Sequence, residues 1–454
     1  MALPGAGELL ERRIPNVSGA GVISVGEWGR LPIREDDSQG SVTSSQADAL
    51  MAGAAAVERK LGIGSGEGAS VLVRTHKELC ARQVVGVLAV PGVELEILPK
   101  IDRLGEDGVR GVLIHMVAHA WDLPIADGEA ALFSRQEKTL LEILIRLFCD
   151  RLFKAVHRGL SRRYLDHEDD LPSLRGRLNV QRQFTTNVIT PNRLACGFSE
   201  LSSDIALNQV LKGTVVELAK WSRSTRNRRL LLELELAFEG VSSLPRDRLP
   251  WDQVHLDRTD ARYRELFDLA RALMNRRWQT TTAGDMGGTA LMFEMNTLFE
   301  AYLGRHMRAV GRAHRRAVAL QGPRKFILFD ENGSPRFATK PDIVVGGPDG
   351  PHVIDTKWKR LQSADVDAKR GVNQADVYQM LAYGQVYGAK RLTLLYPHHR
   401  GLAEEAGRLA AFTMPSTGTT LEIATVDVSD LRSVPHQCAR LISSRHAEAT
   451  ALAG

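Results

Sequence analysis

From Phe337 to Lys359 the chain reads FATKPDIVVGGPDGPHVIDTKWK. Two β-type runs, Phe337–Val345 and His352–Lys359, flank GGPDG, whose Gly, Pro and Asp supply the backbone conformations of a tight connection. Strand side chains alternate faces, so Asp355 and Lys357 are expected on one side of the second run. Hairpin pairing would bring Asp342, next to Pro341, alongside them. Two carboxylates and an ammonium at one sheet edge suit Mg²⁺, which prefers hard oxygen ligands and keeps several waters. Such an ion polarises a phosphate and lowers the pKa of a bound water. The lysine would orient that water or stabilise developing charge.

An Asp/Glu-x-Lys triplet alone says little, since Glu58-Arg59-Lys60 and Asp367-Ala368-Lys369 have the same spacing. The first lies in a helical stretch, where i and i+2 do not share a face, and the second in a polar loop. Even Asp355-Thr356-Lys357 reads equally well in isolation as a surface ion pair on an edge strand. Its surroundings shift the balance. A helix over about Ala290–Arg316 precedes three β-type runs, the first being Arg324–Phe329, joined to the next by ENGSP. A helix over about Gln374–Tyr387, a strand at Arg391–Tyr396 and a strand pair around Arg408–Val426 follow. The order is α-β-β-β-α-β, a mixed sheet with flanking helices. Asn296 and Glu300 share a face of the first helix, Gln379 and Tyr383 a face of the second.

The remainder reads as two further parts. Residues 1–165 are expected to form an N-terminal α/β domain, with an Ala-rich helix over Ser44–Leu61 that sets Leu50, Met51, Ala54, Ala55 and Leu61 near one face. Runs at Ser70–Arg74, Gln83–Val90 and Val93–Leu98 are strands, the last two a hairpin turned by Pro91-Gly92. Helices follow at Gly108–Trp121 and from about Gln136 to Arg158. Residues 166–284 are expected to be a helical connector, opening on the irregular LDHEDDLPSLRGRLNV and continuing as helices near Asp204–Trp221, Asn227–Glu239 and Asp260–Trp278. The small, polar TTTAGDMGG at Thr280–Gly288 is the expected boundary before a third domain, 285–454. The fold class is α/β.

Composition narrows the functional classes. The 454 residues carry a net charge of +5, which suits a polyanionic partner without proving one. Cys80, Cys149, Cys196 and Cys438 form no C-x-x-C pair and read as ordinary buried thiols. MALPGAGELLERRIP lacks the apolar centre of a signal peptide, and no run of about 18 apolar residues suggests a membrane span. A cytoplasmic location is expected.

The Pro-Asp, Asp-x-Lys and Gln-x-x-x-Tyr signals in this order resemble the PD-(D/E)XK nuclease superfamily, in particular its Gln-x-x-x-Tyr branch. In that superfamily the first helix often adds a metal-directed Glu, for which Glu300 is the candidate and Glu294 the second choice. Further blocks extend the resemblance over nearly the whole chain: Val87-Leu88, Glu94-Leu95-Glu96-Ile97-Leu98-Pro99-Lys100-Ile101, Arg163-Tyr164, Leu174-Arg175-Gly176-Arg177-Leu178, Ala206-Leu207-Asn208 and Phe293–Glu300. Together they resemble the McrC family, nuclease subunits of the McrBC modification-dependent (5-methylcytosine) restriction system. One departure is Lys340, where Arg is expected before Pro-Asp; the cation is kept.

The resemblance implies a Mg²⁺-dependent endodeoxyribonuclease of phage or foreign-DNA defence, with Mn²⁺ able to substitute. It implies Asp342, Asp355, Lys357, Gln379 and Glu300 as site residues, with Asp342, Asp355 and Glu300 at the metal. It also implies a hexameric AAA+ GTPase partner of the McrB type, engaged by the N-terminal part, and DNA, modified, as substrate. Two alternatives stay open: a regulatory adaptor of a AAA+ ring with weak or absent cleavage, and a stand-alone DNA repair nuclease.

Other signals carry less. GIGSGEGA at Gly62–Ala69 contains G-x-G-x-x-A, but in helix-then-strand order and without G-K-[ST], so neither a dinucleotide nor a phosphate loop is expected. His115 and His119 have the i, i+4 spacing of metal-binding helices, yet residue 116 is Met and no third ligand is evident, so they are read as core or partly buried histidines. Arg305, Arg308, Arg312 and Arg315 or Arg316 form a basic stripe that reads equally as a phosphate-contacting or a solvated face. RSTRNRR at Arg223–Arg229 is expected at a helix junction or a partner surface.

Overall fold

The computed structural model describes residues 21–35, 40–61, 70–121, 137, 139–189, 192–276, 278–283 and 286–443; the Gly62–Ala69 loop lies outside them. Compactness divides the chain into two units, one taking 1–140 with 277–454 and the other 141–276. The first unit therefore draws on both ends of the chain, which the sequence assigns to separate domains.

The N-terminal part of the first unit contains β1 (Gly21–Gly26), β2 (Arg30–Pro32), α1 (Ser44–Leu61), β3 (Leu72–Arg74), β4 (Glu78–Ala81), β5 (Val84–Val90), β6 (Val93–Leu98) and α2 (Glu106–Ala120). β5 and β6 are the expected hairpin, with Gly92 at φ +86 in the turn. Helix α1 buries Ala47, Leu50, Ala54 and Val57 among Leu88, Leu95, Ala290 and Met292. The buried stripe is thus offset from the expected one, and Ala55 points outward.

The second unit holds α3 (Leu140–Val156, from its second residue), β7 (Arg163–Leu171), β8 (Arg177–Leu178), α4 (Val180–Thr185), β9 (Leu194–Ser202), α5 (Ala206–Trp221), α6 (Thr225–Ala237) and α7 (Ala261–Arg271). The first seven residues of the stretch expected to be irregular, Leu165–Leu171, belong to a long strand, β7, paired antiparallel with β9 over its whole length. Its side chains are mostly exposed, so it shows no apolar alternation; cross-strand backbone bonds hold it. Exposed apolar side chains accumulate here: the cross-strand pair Tyr164 and Leu201, and Phe184, Val188 and Ile189 nearby in sequence. RSTRNRR is a helix junction, with Ser222 Oγ, Ser224 N and Asn227 Nδ2 donating to the buried Glu142 carboxylate.

The chain then returns to the first unit with β10 (Trp278–Ala283) and β11 (Met286–Glu294). Thr280–Gly288, where a boundary is expected, falls largely within these strands, which complete the first sheet in the order β1-β6-β5-β11-β10. Gly86 of β5 sits at φ +132, and a Cβ there would lie 1.9 Å from Leu291 O, so glycine is what admits β11.

Next come α8 (Met295–Ala313), β12 (Val318–Leu320), β13 (Lys325–Phe329), β14 (Pro335–Thr339), β15 (Ile343–Val345), β16 (His352–Thr356), α9 (Gln374–Tyr387), β17 (Arg391–Pro397), β18 (Arg408–Thr413), β19 (Thr420–Val426) and α10 (Val434–Ser443). They build a six-stranded mixed sheet in the order β12-β15-β16-β17-β19-β18. The run expected as one strand, Phe337–Val345, breaks in two. β14 pairs with β13 in a separate ribbon, whereas β15 pairs with β16. Pro341, which has no N–H to donate, sits in the break and leaves Asp342 at the mouth of β15.

Candidate active site

Asp355 lies on β16, all of whose residues are buried, and Lys357 follows just beyond the strand's end. Their expected common face is observed: Lys357 Nζ is 2.7 Å from Asp355 Oδ2. Asp342 accepts from Thr356 N at 2.7 Å and Thr356 Oγ1 at 2.8 Å, which locks it against the same strand. On α9, Gln379 Oε1 accepts from Lys357 Nζ at 3.4 Å, while its Nε2 donates to Tyr383 Oη at 2.8 Å.

Glu300, half-buried on α8, accepts from Gln321 Nε2 at 3.1 Å. Gln321 also donates its backbone N–H to Asp342 O at 2.7 Å, so one residue ties Glu300 to the Pro-Asp turn. Glu294 is exposed at the start of α8 and accepts from Thr297 Oγ1 at 2.9 Å. The geometry therefore favours Glu300 over Glu294 as a neighbour of the aspartates.

Electrostatics binds these groups together. Burial, then the Glu300 charge, pushes Asp342 up to about 6 against the opposing Thr356 hydrogen bonds. Burial, then the Asp342 charge, pushes Asp355 up to about 6 although Lys357 opposes it. Glu300 is raised by burial, with Asp355 adding to the effect. Burial alone would lower Lys357, but Asp355, Asp376 and Asp342 outweigh it and raise the ammonium above its ordinary value. Three carboxylates that disfavour one another's charge, with hard oxygen donors and little else, fit a divalent cation such as Mg²⁺. They are not drawn into one tight shell: among the described residues no three carboxylates offer oxygens within 4.8 Å of one another.

Several contributors escape notice in the sequence. Asp376 lies 4.0 Å from Lys357 Nζ and 3.2 Å from Lys359 Nζ. Trp358 N donates to Asn296 Oδ1 at 2.9 Å, and its carbonyl accepts from Gln83 Nε2 at 3.0 Å. No periodicity could reveal Gln83, since it lies in a loop of the N-terminal part. Of the basic stripe, Arg308 and Arg312 are exposed, while Arg316 Nη1 donates to Ile442 O at 2.7 Å.

Residues 79–397, well over half the chain, match the family model of the McrBC 5-methylcytosine restriction system component. The chain belongs to the McrBC family. Among solved structures it is similar to a chain of the half-complex from the tetradecameric assembly of Thermococcus gammatolerans McrB AAA+ hexamers with bound McrC. The identity is 22%, the TM-score 0.73, and the match covers 93% of this chain and 99% of that one. It is also similar to a chain of the Thermococcus gammatolerans McrBC complex, at 25% identity and TM-score 0.54, over 64% of this chain and 88% of that one. No curated protein matches.

In this McrBC-family chain three of the early signature residues, Glu96, Asn208 and Gly176, make contacts that hold the fold together. Glu96 accepts from Arg110 Nε at 2.8 Å, Ser24 Oγ at 3.1 Å and Leu140 N at 3.1 Å. Asn208 Nδ2 donates to Ser161 O at 2.8 Å and Ser203 O at 2.7 Å. Gly176 sits at φ +70, where a Cβ would lie 2.5 Å from Gly197 O. No helix of the described residues is long and apolar enough to cross a membrane.

Proposed function

We propose that this restriction-system component is the nuclease subunit of a GTP-dependent complex and hydrolyses phosphodiesters of modified DNA at Asp342, Asp355 and Lys357. The observation that supports this most directly is the mutually destabilised set of buried Asp355 and half-buried Asp342 and Glu300 beside the Lys357 ammonium. Asp342 and Asp355, with Glu300, would hold Mg²⁺, or Mn²⁺ in its place. When bound, the ion would polarise a phosphate and supply a low-pKa water. Lys357, kept charged by its carboxylate neighbours, would stabilise negative charge building on the phosphate oxygens. Gln379 would hold the lysine's orientation, and Tyr383 that of Gln379. The expected fold class of the C-terminal part, PD-(D/E)XK, accords with this arrangement.

A AAA+ GTPase of the McrB type, as a hexameric ring, is the proposed partner. The resemblance assigns its contacts to the N-terminal part, and the exposed apolar residues of the second unit offer further surface of the kind that partners cover. The test is cleavage of 5-methylcytosine-containing plasmid by the chain with purified GTPase partner, GTP and Mg²⁺. Cutting that stops in EDTA and in Asp355→Ala is the expected result. Near-normal cutting by Asp355→Ala would remove the site assignment. Stimulated GTP hydrolysis without cutting in either metal would favour the adaptor, and cutting with no responsive GTPase the stand-alone nuclease.

A further inference from the structure

His115 and His119 are not merely a helical pair. Helix α2 packs against α8, and there His306 joins them, so that one nitrogen from each ring lies within 4.8 Å of the others. His115 and His306 are buried and His119 is half-buried. Tyr302, one turn before His306, sets its ring edgewise to all three, with centroids 5.9 Å from His115, 5.4 Å from His119 and 4.7 Å from His306. The Nε2 of His306 is buried without a hydrogen-bond partner. A buried polar nitrogen left unpaired costs stability, so its retention calls for an explanation.

We propose that His115, His119 and His306 form a transition-metal site, selective for Zn²⁺ over Mg²⁺, that staples α2 to α8. The donor set decides the class of ion. Imidazole nitrogens suit Zn²⁺ and its neighbours, whereas Mg²⁺ and Ca²⁺ require oxygens. Three histidines leave one tetrahedral position for water. Zinc–nitrogen bonds of about 2.0–2.1 Å need the nitrogens closer together than 4.8 Å, so the stacked rings of His119 and His306, 4.1 Å apart, must turn as the ion enters. The first half of α8 carries Asn296 and Glu300, so the staple would steady the helix that lines the acidic site.

The test uses the full chain carrying Asp342→Ala and Asp355→Ala, which removes the acidic site as a competitor. Co²⁺ serves as the optical probe and Zn²⁺ as the ligand for calorimetry and thermal unfolding. One equivalent of Co²⁺ should give the visible bands of nitrogen-ligated tetrahedral cobalt, undisturbed by excess Mg²⁺. Zn²⁺ should displace it and raise the unfolding midpoint. His306→Ala and His119→Gln should each abolish the bands and the rise; the half-buried His119 provides the variant that keeps its fold by circular dichroism. Absence of any band and of any Zn²⁺-dependent rise overturns the site. So do bands that survive both histidine substitutions, or bands of thiolate character.

Discussion

The indole Nε1–H of Trp358, the residue directly after Lys357, donates to Glu27 Oε1 at 2.6 Å. The same oxygen accepts from Lys100 N at 2.9 Å, and burial raises the Glu27 carboxyl. With Asn296 and Gln83 on its backbone groups, Trp358 is held at every polar atom, twice by residues from the N-terminal part of the chain. The position of Lys357 thus depends on residues more than two hundred places away. A cut after residue 284 would separate β10 from β11 and take β11 from β5, so the two ends must be dissected by point substitution.

Glu27→Ala should leave the Trp358 indole buried without an acceptor, at a cost of about 1–3 kcal/mol in stability. It should also slow cleavage, because the backbone beside Lys357 loosens. Glu27→Gln keeps an acceptor oxygen and should restore most of both. Thermal unfolding alongside a plasmid-cleavage assay checks this; equal loss in both variants would mean that the charge, not the acceptor, matters.

Asp342→Ala and Asp355→Ala should each abolish cleavage, by several orders of magnitude if they are metal ligands. Lys357→Ala should also stop cleavage while leaving the partner's GTP hydrolysis stimulated. The check is GTP turnover titrated with each variant beside the cleavage assay. A folded Lys357→Ala that no longer stimulates GTP hydrolysis contradicts a separation of the two roles.

Glu300→Gln should slow cleavage by roughly 10–100-fold, the range for residues that support a metal cluster. Glu294→Gln should cut at close to the wild-type rate, since its carboxylate faces Thr297 and solvent. The reverse ranking would transfer the acidic role to Glu294.

Asp342 and Asp355 rise from the ordinary value of 3.8 to about 6. Their folded-state values exceed the unfolded ones, so the stability they contribute is complete below about pH 4 and is lost as pH climbs through about 6. Mg²⁺ needs the ionised carboxylates, so its stabilisation should run in the opposite direction. The rise in unfolding midpoint on adding Mg²⁺ should be small at pH 5 and full at pH 7.5. Melting curves at both pH values, with and without Mg²⁺, and with Asp342→Ala as control, measure it. A shift independent of pH would place the ion elsewhere.

Local pattern was enough for the Gly92 hairpin, the mixed sheet, the shared side of Asp355 and Lys357, and the facing of Gln379 and Tyr383, because strand and helix periodicities govern neighbours in sequence. The break at Pro341 was legible in principle, since proline has no N–H for a ladder. Strand β7 was not, because its mostly exposed side chains leave no apolar alternation to read. What only the tertiary structure decided are the encounters between distant segments. Gln321 joins Glu300 to the Asp342 turn, Glu27 and Gln83 hold Trp358, and His306 completes the pair on α2. Each depends on packing between segments from 21 to 331 residues apart, where the selecting forces are burial and hydrogen-bond satisfaction rather than any spacing along the chain.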